Sequence, residues 1–185
     1  SGFEQANILT LDGSGEEVTT VLAAGNKKDI EQIKKFYLPH SLGGFYASFT
    51  EFLGFKPYLD EGKVMGLASY GSYREDLQVK LDQVISYDKH NGDYKIDPSM
   101  RYLGEHTYGA RFTDQFVEVF GPKRDENISA LENPYPDIAF AIQWRLEKIV
   151  MGLVRQLYEK TGFRKFCLAG GVAMNCVMNG KLATE

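Results

Sequence analysis

The sequence predicts an α/β fold, and two stretches carry that prediction. Near the C-terminus a long amphipathic helical pattern runs into the apolar stretch Phe166-Cys167-Leu168-Ala169, which stops at Gly170-Gly171 and turns into a further helix. Near the N-terminus two β-rich runs flank Asp12-Gly13-Ser14-Gly15, the pattern of a hairpin. Helix, strand, glycine turn, helix is the order found in α/β layers. With 185 residues, 43% of them hydrophobic and 25% charged, the chain can bury a core of about one domain.

Residues 6–12 read as the first strand, 13–16 as its turn and 17–23 as the return strand. Residues 28–36 read as a short amphipathic helix with Ile30, Ile33 and Phe36 inward. Pro39-His40-Ser41 ends it, and Ser41 caps the next helix. There Leu42, Phe45, Tyr46, Phe49, Phe52 and Leu53 follow helical spacing, an aromatic stripe that reads as core, and Gly54 stops the helix. Asp60 or Glu61 caps a helix carrying Lys63, Met65 and Leu67. Gly66 inside it costs about 1 kcal/mol relative to Ala and suggests close approach by a backbone or a ligand.

Residues 74–87 read as helical through Leu77, Leu81, Val84 and Ile85, and residues 92–97 as a short strand after an Asn-Gly turn. Residues 99–133 are mixed, with a helix over 114–120 and then a polar loop to 136. Lys123-Arg124-Asp125-Glu126 reads as a solvated part of that loop, and this middle region reads as an insertion decorating the fold. Asp137 opens the longest helix, whose stripe is Ile138, Ile142, Leu146, Ile149, Leu153 and Leu157. Trp144 lies off the stripe, against another layer, and Gly162 ends the helix. No internal repeat and no low-complexity linker interrupts the order.

The chemistry-bearing candidates are glycine turns. A strand stopping at Gly170-Gly171 before a helix points backbone N–H groups and a helix dipole at an anion, most often phosphate. Asn175 then falls in the first helical turn with Asn179 one turn later, two amides able to read a base, a sugar or a carbonyl. The same pattern also describes a tight corner with surface asparagines. Asp12, Gly13 and Gly15 read either as turn chemistry at a hairpin tip or as a second phosphate loop facing the first. Glu61, Lys63 and Gly66 read either as a solvated, capped helix or as a carboxylate for ribose hydroxyls beside a cation for an anion. His90 and His106 stand alone and read as surface or structural residues.

The net charge of −4 provides no basic field for nucleic acid or an anionic membrane. No apolar run reaches the roughly 18 residues that span a bilayer. Cys167 and Cys176 have neither disulfide-framework nor metal spacing and read as packing, which fits a reducing, cytoplasmic compartment. The first residues have no signal-peptide character and no initiator Met, and the chain stops soon after the key turn. A segment of a longer, or a processed, protein is expected.

Three blocks read together: Leu11-Asp12-Gly13-Ser14-Gly15-Glu16; Pro39-His40-Ser41-Leu42-Gly43-Gly44-Phe45-Tyr46 with Leu53-Gly54-Phe55 and Glu61-Gly62-Lys63-Val64-Met65-Gly66-Leu67-Ala68-Ser69-Tyr70-Gly71; and Leu168-Ala169-Gly170-Gly171-Val172-Ala173-Met174-Asn175-Cys176. In this order and spacing they resemble the O-carbamoyltransferases of nodulation-factor and antibiotic biosynthesis. The resemblance covers essentially the whole chain and is weakest over about 88–133, the expected variable insertion. It implies part of an actin/hexokinase-like, ribonuclease H-like ATPase fold, shared with the tRNA threonylcarbamoyl-adenosine enzymes. Residues 1–185 would be the central part of an N-terminal domain that makes carbamoyl-adenylate from carbamoyl phosphate and ATP. The carbamoyl group would then pass to a hydroxyl-bearing small-molecule acceptor through a separate C-terminal domain.

By the same resemblance Gly170, Gly171, Val172 and Asn175 belong to the nucleotide loop. Asp12, Gly13 and Gly15 belong to the facing phosphate hairpin, and Glu61, Lys63 and Gly66 to the adenosine side. The family's divalent metal, iron or magnesium, resembles that of its tRNA-modifying cousins. Its His-x-x-x-His motif is expected before the first strand and an Asp beyond the last helix, with no metal ligand inside 1–185. The isolated chain is therefore expected to be inactive. No protein nucleophile is expected, because the chemistry is electrostatic positioning. A sugar or acetate kinase of the same superfold, and a non-catalytic nucleotide-binding module, are the competing readings.

Overall fold

The structure is a computed structural model and describes residues 2–27, 29–101 and 111–184. In chain order its elements are β1 (Gln5–Gly15), β2 (Val18–Asn26), β3 (Asp29–Tyr37), α1 (Leu42–Phe52), α2 (Glu61–Leu67), α3 (Glu75–Asp82), β4 (Ile85–Tyr87), β5 (Tyr94–Ile96), α4 (Asp114–Phe120), α5 (Tyr135–Thr161), β6 (Phe166–Ala169) and α6 (Cys176–Thr184). Single 3-10 turns lie at Ala68–Tyr70, Pro98–Met100 and Gly171–Met174. The chain divides into two compact units. One is Ser1–Gly44, Tyr87–Tyr94 and Glu147–Glu185, and the other Phe45–Ser86 and Lys95–Leu146. Among the described residues no helix is long and apolar enough to cross a membrane.

The first unit contains a four-stranded mixed sheet in the order β3-β2-β1-β6. Strands β1 and β2, and β2 and β3, pair antiparallel, whereas β1 and β6 run parallel. The α/β class therefore stands. Alternation along β1 buries Asn7, Leu9 and Leu11 and leaves Ile8 and Thr10 half-exposed, as a sheet with one covered face requires. Leu22 of β2 and Ile149, Val150, Leu153 and Leu157 of α5 complete the unit's apolar interior. Asn7 is buried but satisfied: its amide donates to the Phe163 carbonyl at 2.9 Å and accepts from the Thr161 hydroxyl at 2.9 Å. Gly152 of α5 meets Gly92 so closely that a Cβ on Gly152 would lie 2.4 Å from the Gly92 nitrogen. Gly162 ends α5 with φ +71°, as read from the sequence.

Three expectations need correction here. Residues 28–36 are not a helix: Asp29–Tyr37 is strand β3, Lys28 lying outside the described residues. Lys34 pairs with Leu22 and Gln32 with Ala23, so Ile33 is an extra residue with no partner opposite, a β-bulge. Asp12-Gly13-Ser14-Gly15 is not the hairpin tip. Thr20 pairs with Leu11 and Val18 with Gly15, so Asp12, Gly13 and Ser14 bulge opposite Thr19, and the turn itself is Glu16-Glu17 with Glu16 at φ +60°. Cys167 is only half-buried, because β6 is an edge strand of this sheet.

The second unit is built on phenylalanine. Phe49 of α1 stacks edge-on against Phe116 and Phe120 of α4, with ring centres 4.8 and 5.1 Å away. Arg145 of α5 is buried and donates to the Gln78 carbonyl, the Gln78 side chain and the Ile85 carbonyl. Trp144 packs edge-on against Tyr73 at 5.4 Å. Residues 74–87 form not one helix but α3 followed by β4, which pairs with β5. Arg124, read as solvated, is buried: its guanidinium donates to the carbonyls of Leu53, Asp125 and Ile128. His106 and part of the expected insertion lie outside the described residues.

Candidate functional site

Ligands of α/β sheets gather outside the carboxyl ends of parallel strands. In the first unit β1 and β6 are such a pair, with Leu9 beside Leu168 and Thr10 beside Ala169. Both then run into glycines. Gly170 has φ +92°, and a Cβ on it would lie 2.2 Å from the Leu11 carbonyl oxygen. Only glycine fits there, because the two backbones touch. Gly171 is exposed, and among the described residues a Cβ on it would meet nothing within 4 Å except Asp12 Oδ1, at 3.4 Å. The exposed Asp12 carboxylate accepts the N–H of Gly13 at 2.7 Å.

A third segment closes on the same point. Ser41 is buried; its hydroxyl accepts the Gly44 N–H at 2.9 Å, capping α1 as expected, and donates to the Gly13 carbonyl at 2.5 Å. A Cβ on Gly43 would lie 2.7 Å from the Gly13 nitrogen. His40, just before the cap, is held by its carbonyl, which accepts from the Thr19 hydroxyl at 2.5 Å and the Tyr94 hydroxyl at 3.2 Å. Tyr94 stacks on Phe36, with ring centres 4.5 Å apart, and burial pushes its phenol up to about 12. Gly13 and Gly171 thus lie against one exposed carboxylate, and Gly43 packs on the backbone that carries it.

Asp12, Gly13, Gly170 and Gly171 are therefore brought together. Gly15 is not, being paired with Val18 in the hairpin. Val172 is buried and packs rather than faces solvent. Asn175 does not lie inside a helical turn. Gly171–Met174 forms a 3-10 turn, Asn175 is extended at φ −70° and ψ 97°, and α6 starts at Cys176. Its side-chain oxygen accepts the Met178 N–H at 2.9 Å and caps α6. The Asn179 amide donates to the Ala173 carbonyl at 2.8 Å. The strand-to-helix dipole argument falls with this geometry, and the loop's exposed backbone remains.

Glu61, Lys63 and Gly66 lie on α2 in the second unit. Neither Asp60 nor Glu61 caps that helix by its side chain. Glu61 Oε1 accepts the Tyr58 N–H at 2.5 Å, and Lys63 pairs with Asp60 at 2.9 Å, a bond that holds the Asp60 carboxyl below its usual range. Among the described residues nothing lies within 4 Å of where a Cβ on Gly66 would be. In the same block Gly71 does meet a backbone: a Cβ there would lie 2.1 Å from the Pro136 carbonyl oxygen. Ser41, Gly43 and Thr19 were not among the predicted ligand-facing residues. The Ser-Leu-Gly-Gly run held the signal, since a cap followed by two glycines marks a helix start approached by another backbone.

The comparisons with known proteins follow this geometry. The family model for the carbamoyltransferase N-terminus matches residues 1–185. An uncharacterised protein of Synechocystis sp. is 38% identical over the whole chain, which covers 29% of that protein. Nodulation protein NolNO of Sinorhizobium fredii and nodulation protein NolO of Bradyrhizobium diazoefficiens are each 33% identical over 98% of this chain, which covers 24% and 30% of their lengths. The chain thus spans about a quarter to a third of the curated relatives it matches. On the whole-length match, the chain belongs to the carbamoyltransferase N-terminus family.

Proposed function

We propose that the chain is the phosphate-facing segment of a carbamoyltransferase. In the whole protein, carbamoyl-adenylate forms from carbamoyl phosphate and ATP, and the carbamoyl group passes to a hydroxyl of a sugar or natural-product acceptor. The observation that carries the reading is the convergence of Gly13, Gly43 and Gly171 on Asp12 at the carboxyl ends of two parallel strands. Family membership and the resemblance of 98% of this chain to part of two nodulation proteins support it.

The loops fit phosphate through their backbone. Gly171 has room beside it, and amides aimed at phosphate oxygens stabilise the charge that develops when a carbamate oxygen attacks phosphorus. The Gly13 N–H already donates to Asp12, so it turns to a phosphate only when that carboxylate rotates away. The Asp12 charge favours a phosphate accompanied by a cation. Among the described residues no three His, Cys, Asp or Glu side chains gather to hold a metal ion. The roles assigned here belong to its own backbone and carboxylate.

Carbamoyl-phosphate-dependent exchange of pyrophosphate into ATP, measured on the full-length protein, tests the reading. Exchange that requires carbamoyl phosphate is expected. No exchange, with ATP-dependent phosphorylation of a sugar or acetate instead, would replace the proposal with a kinase.

A further inference from the structure

We propose that Ser41 is a positioning residue that sets the orientation of the Asp12-Gly13 peptide toward the bound phosphate. The inference rests on the reading of the β1 and β6 ends as phosphate loops. A capping serine ordinarily answers to its own helix, accepting one N–H of the first turn. Ser41 does this for Gly44, but its single proton goes elsewhere, to the Gly13 carbonyl at 2.5 Å, with the Asp12 carbonyl at 3.2 Å as its other neighbour. One buried hydroxyl therefore joins the start of α1 to the bulge that carries Asp12.

The bulge needs such a tie. Asp12, Gly13 and Ser14 stand opposite Thr19 alone, so the β1–β2 ladder does not fix their peptide planes. What fixes them comes from residues 40–44. Thr19 donates to the His40 carbonyl and anchors the approach, the Ser41 hydroxyl reaches the Asp12 carbonyl at 3.2 Å and the Gly13 carbonyl at 2.5 Å, one in each peptide flanking Gly13, and Gly43 lies against the Gly13 backbone where any side chain would collide. The Gly13 N–H shares its peptide plane with the Asp12 carbonyl, 3.2 Å from the Ser41 hydroxyl, so rotating that plane would break this contact and re-aim the N–H, and with it the Asp12 carboxylate that the N–H binds. Ser41 thus acts through the loop and makes no ligand contact itself.

Thr113 supplies a matched control in the second unit. Its hydroxyl caps α4 by accepting the Phe116 N–H and donates to the Ser99 carbonyl, the same two bonds in another setting. The experiment compares Ser41→Ala, Ser41→Thr, Gly43→Ala, Thr113→Ala and Gly171→Val in the full-length protein, reading ATP affinity by calorimetry and Tm by thermal unfolding. Ser41→Ala and Thr113→Ala should both lower Tm. Only Ser41→Ala should also weaken ATP binding, by about tenfold, with Ser41→Thr restoring it. Gly43→Ala, which pushes directly on Gly13, should weaken binding likewise and stands in if Ser41→Ala does not fold. Unchanged ATP affinity in Ser41→Ala, or in Gly43→Ala where that stands in, overturns the proposal if Gly171→Val has lost binding. If Gly171→Val binds as the wild type does, the phosphate-loop reading itself is wrong.

Discussion

Gly170 and Gly171 are neighbours in sequence but differ in what a methyl group would meet. At Gly170 it would overlap the Leu11 carbonyl on a backbone with φ +92°; at Gly171 it would touch only the Asp12 carboxylate at 3.4 Å. Gly170→Ala should therefore cost roughly 2–4 kcal/mol, the range of strained or overpacked sites, and Gly171→Ala less than about 1 kcal/mol. Urea unfolding of the two variants checks this, and equal costs would mean that the strand end has moved. Tyr94 makes a second residue-scale prediction. Its phenol titrates near 12 in the fold against 10.0 ordinarily, because burial disfavours the charged form. Between pH 10 and 12 the unfolded phenol loses its proton while the folded one keeps it, so stability falls as pH rises. The contribution, roughly 2–3 kcal/mol by linkage, is fully present below pH 10. Tyr94→Phe lacks it, so the stability gap between wild type and Tyr94→Phe should narrow above pH 10 in urea titrations. A gap independent of pH would contradict the burial argument.

At the scale of elements, bulges decided what could be read from the sequence. In β3, Ile30, Ile33 and Phe36 recur every three residues, a helical period. The register does not put them on one face: Ile30 opposes Gly25 and is exposed, Phe36 opposes Thr20 and is buried, and Ile33 is the unpaired bulge residue between them, so the three-residue recurrence is not an inward stripe. The Asp-Gly at β1 looked like a hairpin tip for a related reason: turns and bulges ask for the same residues. The long stripe of α5 and the cap at Ser41 were legible, since several turns repeat one signal and a cap is a local bond. The Asn175 role was not, because a 3-10 turn shifts the helix start by several residues and turns an exposed amide into a cap. Arg145 was invisible to periodicity as well, since a cation on α5 reads as surface. Yet it ties α5 to α3 and β4 through the Gln78 and Ile85 carbonyls. Arg145→Met should cost about 3–5 kcal/mol, leaving buried carbonyls without donors, and Arg145→Lys should not rescue it. Its ion partner Asp82, 2.8 Å away, is largely exposed, so Asp82→Asn should cost under about 1 kcal/mol. Chemical denaturation of the three variants separates the hydrogen-bond network from the ion pair.

For the molecule as a whole, binding at the loops must appear as stability, because a ligand that prefers the folded state draws the folding equilibrium toward it. The chain carries a net charge of −4, and Asp12 stands at the site, so this segment offers no general attraction for a polyanion. Stabilisation by ATP would then report specific contacts rather than a diffuse field. At an ATP concentration of 100 times Kd the full-length protein should gain about 2.7 kcal/mol in the region that holds the loops. Ionic strength separates the specific from the diffuse case, since exposed charges are screened beyond about 8 Å at physiological salt. The gain should persist at 0.3 M salt (about twice physiological ionic strength). It should also vanish in Gly171→Val, whose side chain would fill the space beside Asp12. Denaturant titrations with and without ATP measure it directly. A gain that disappears with salt, or survives Gly171→Val, would place the bound ATP away from the β1 and β6 ends.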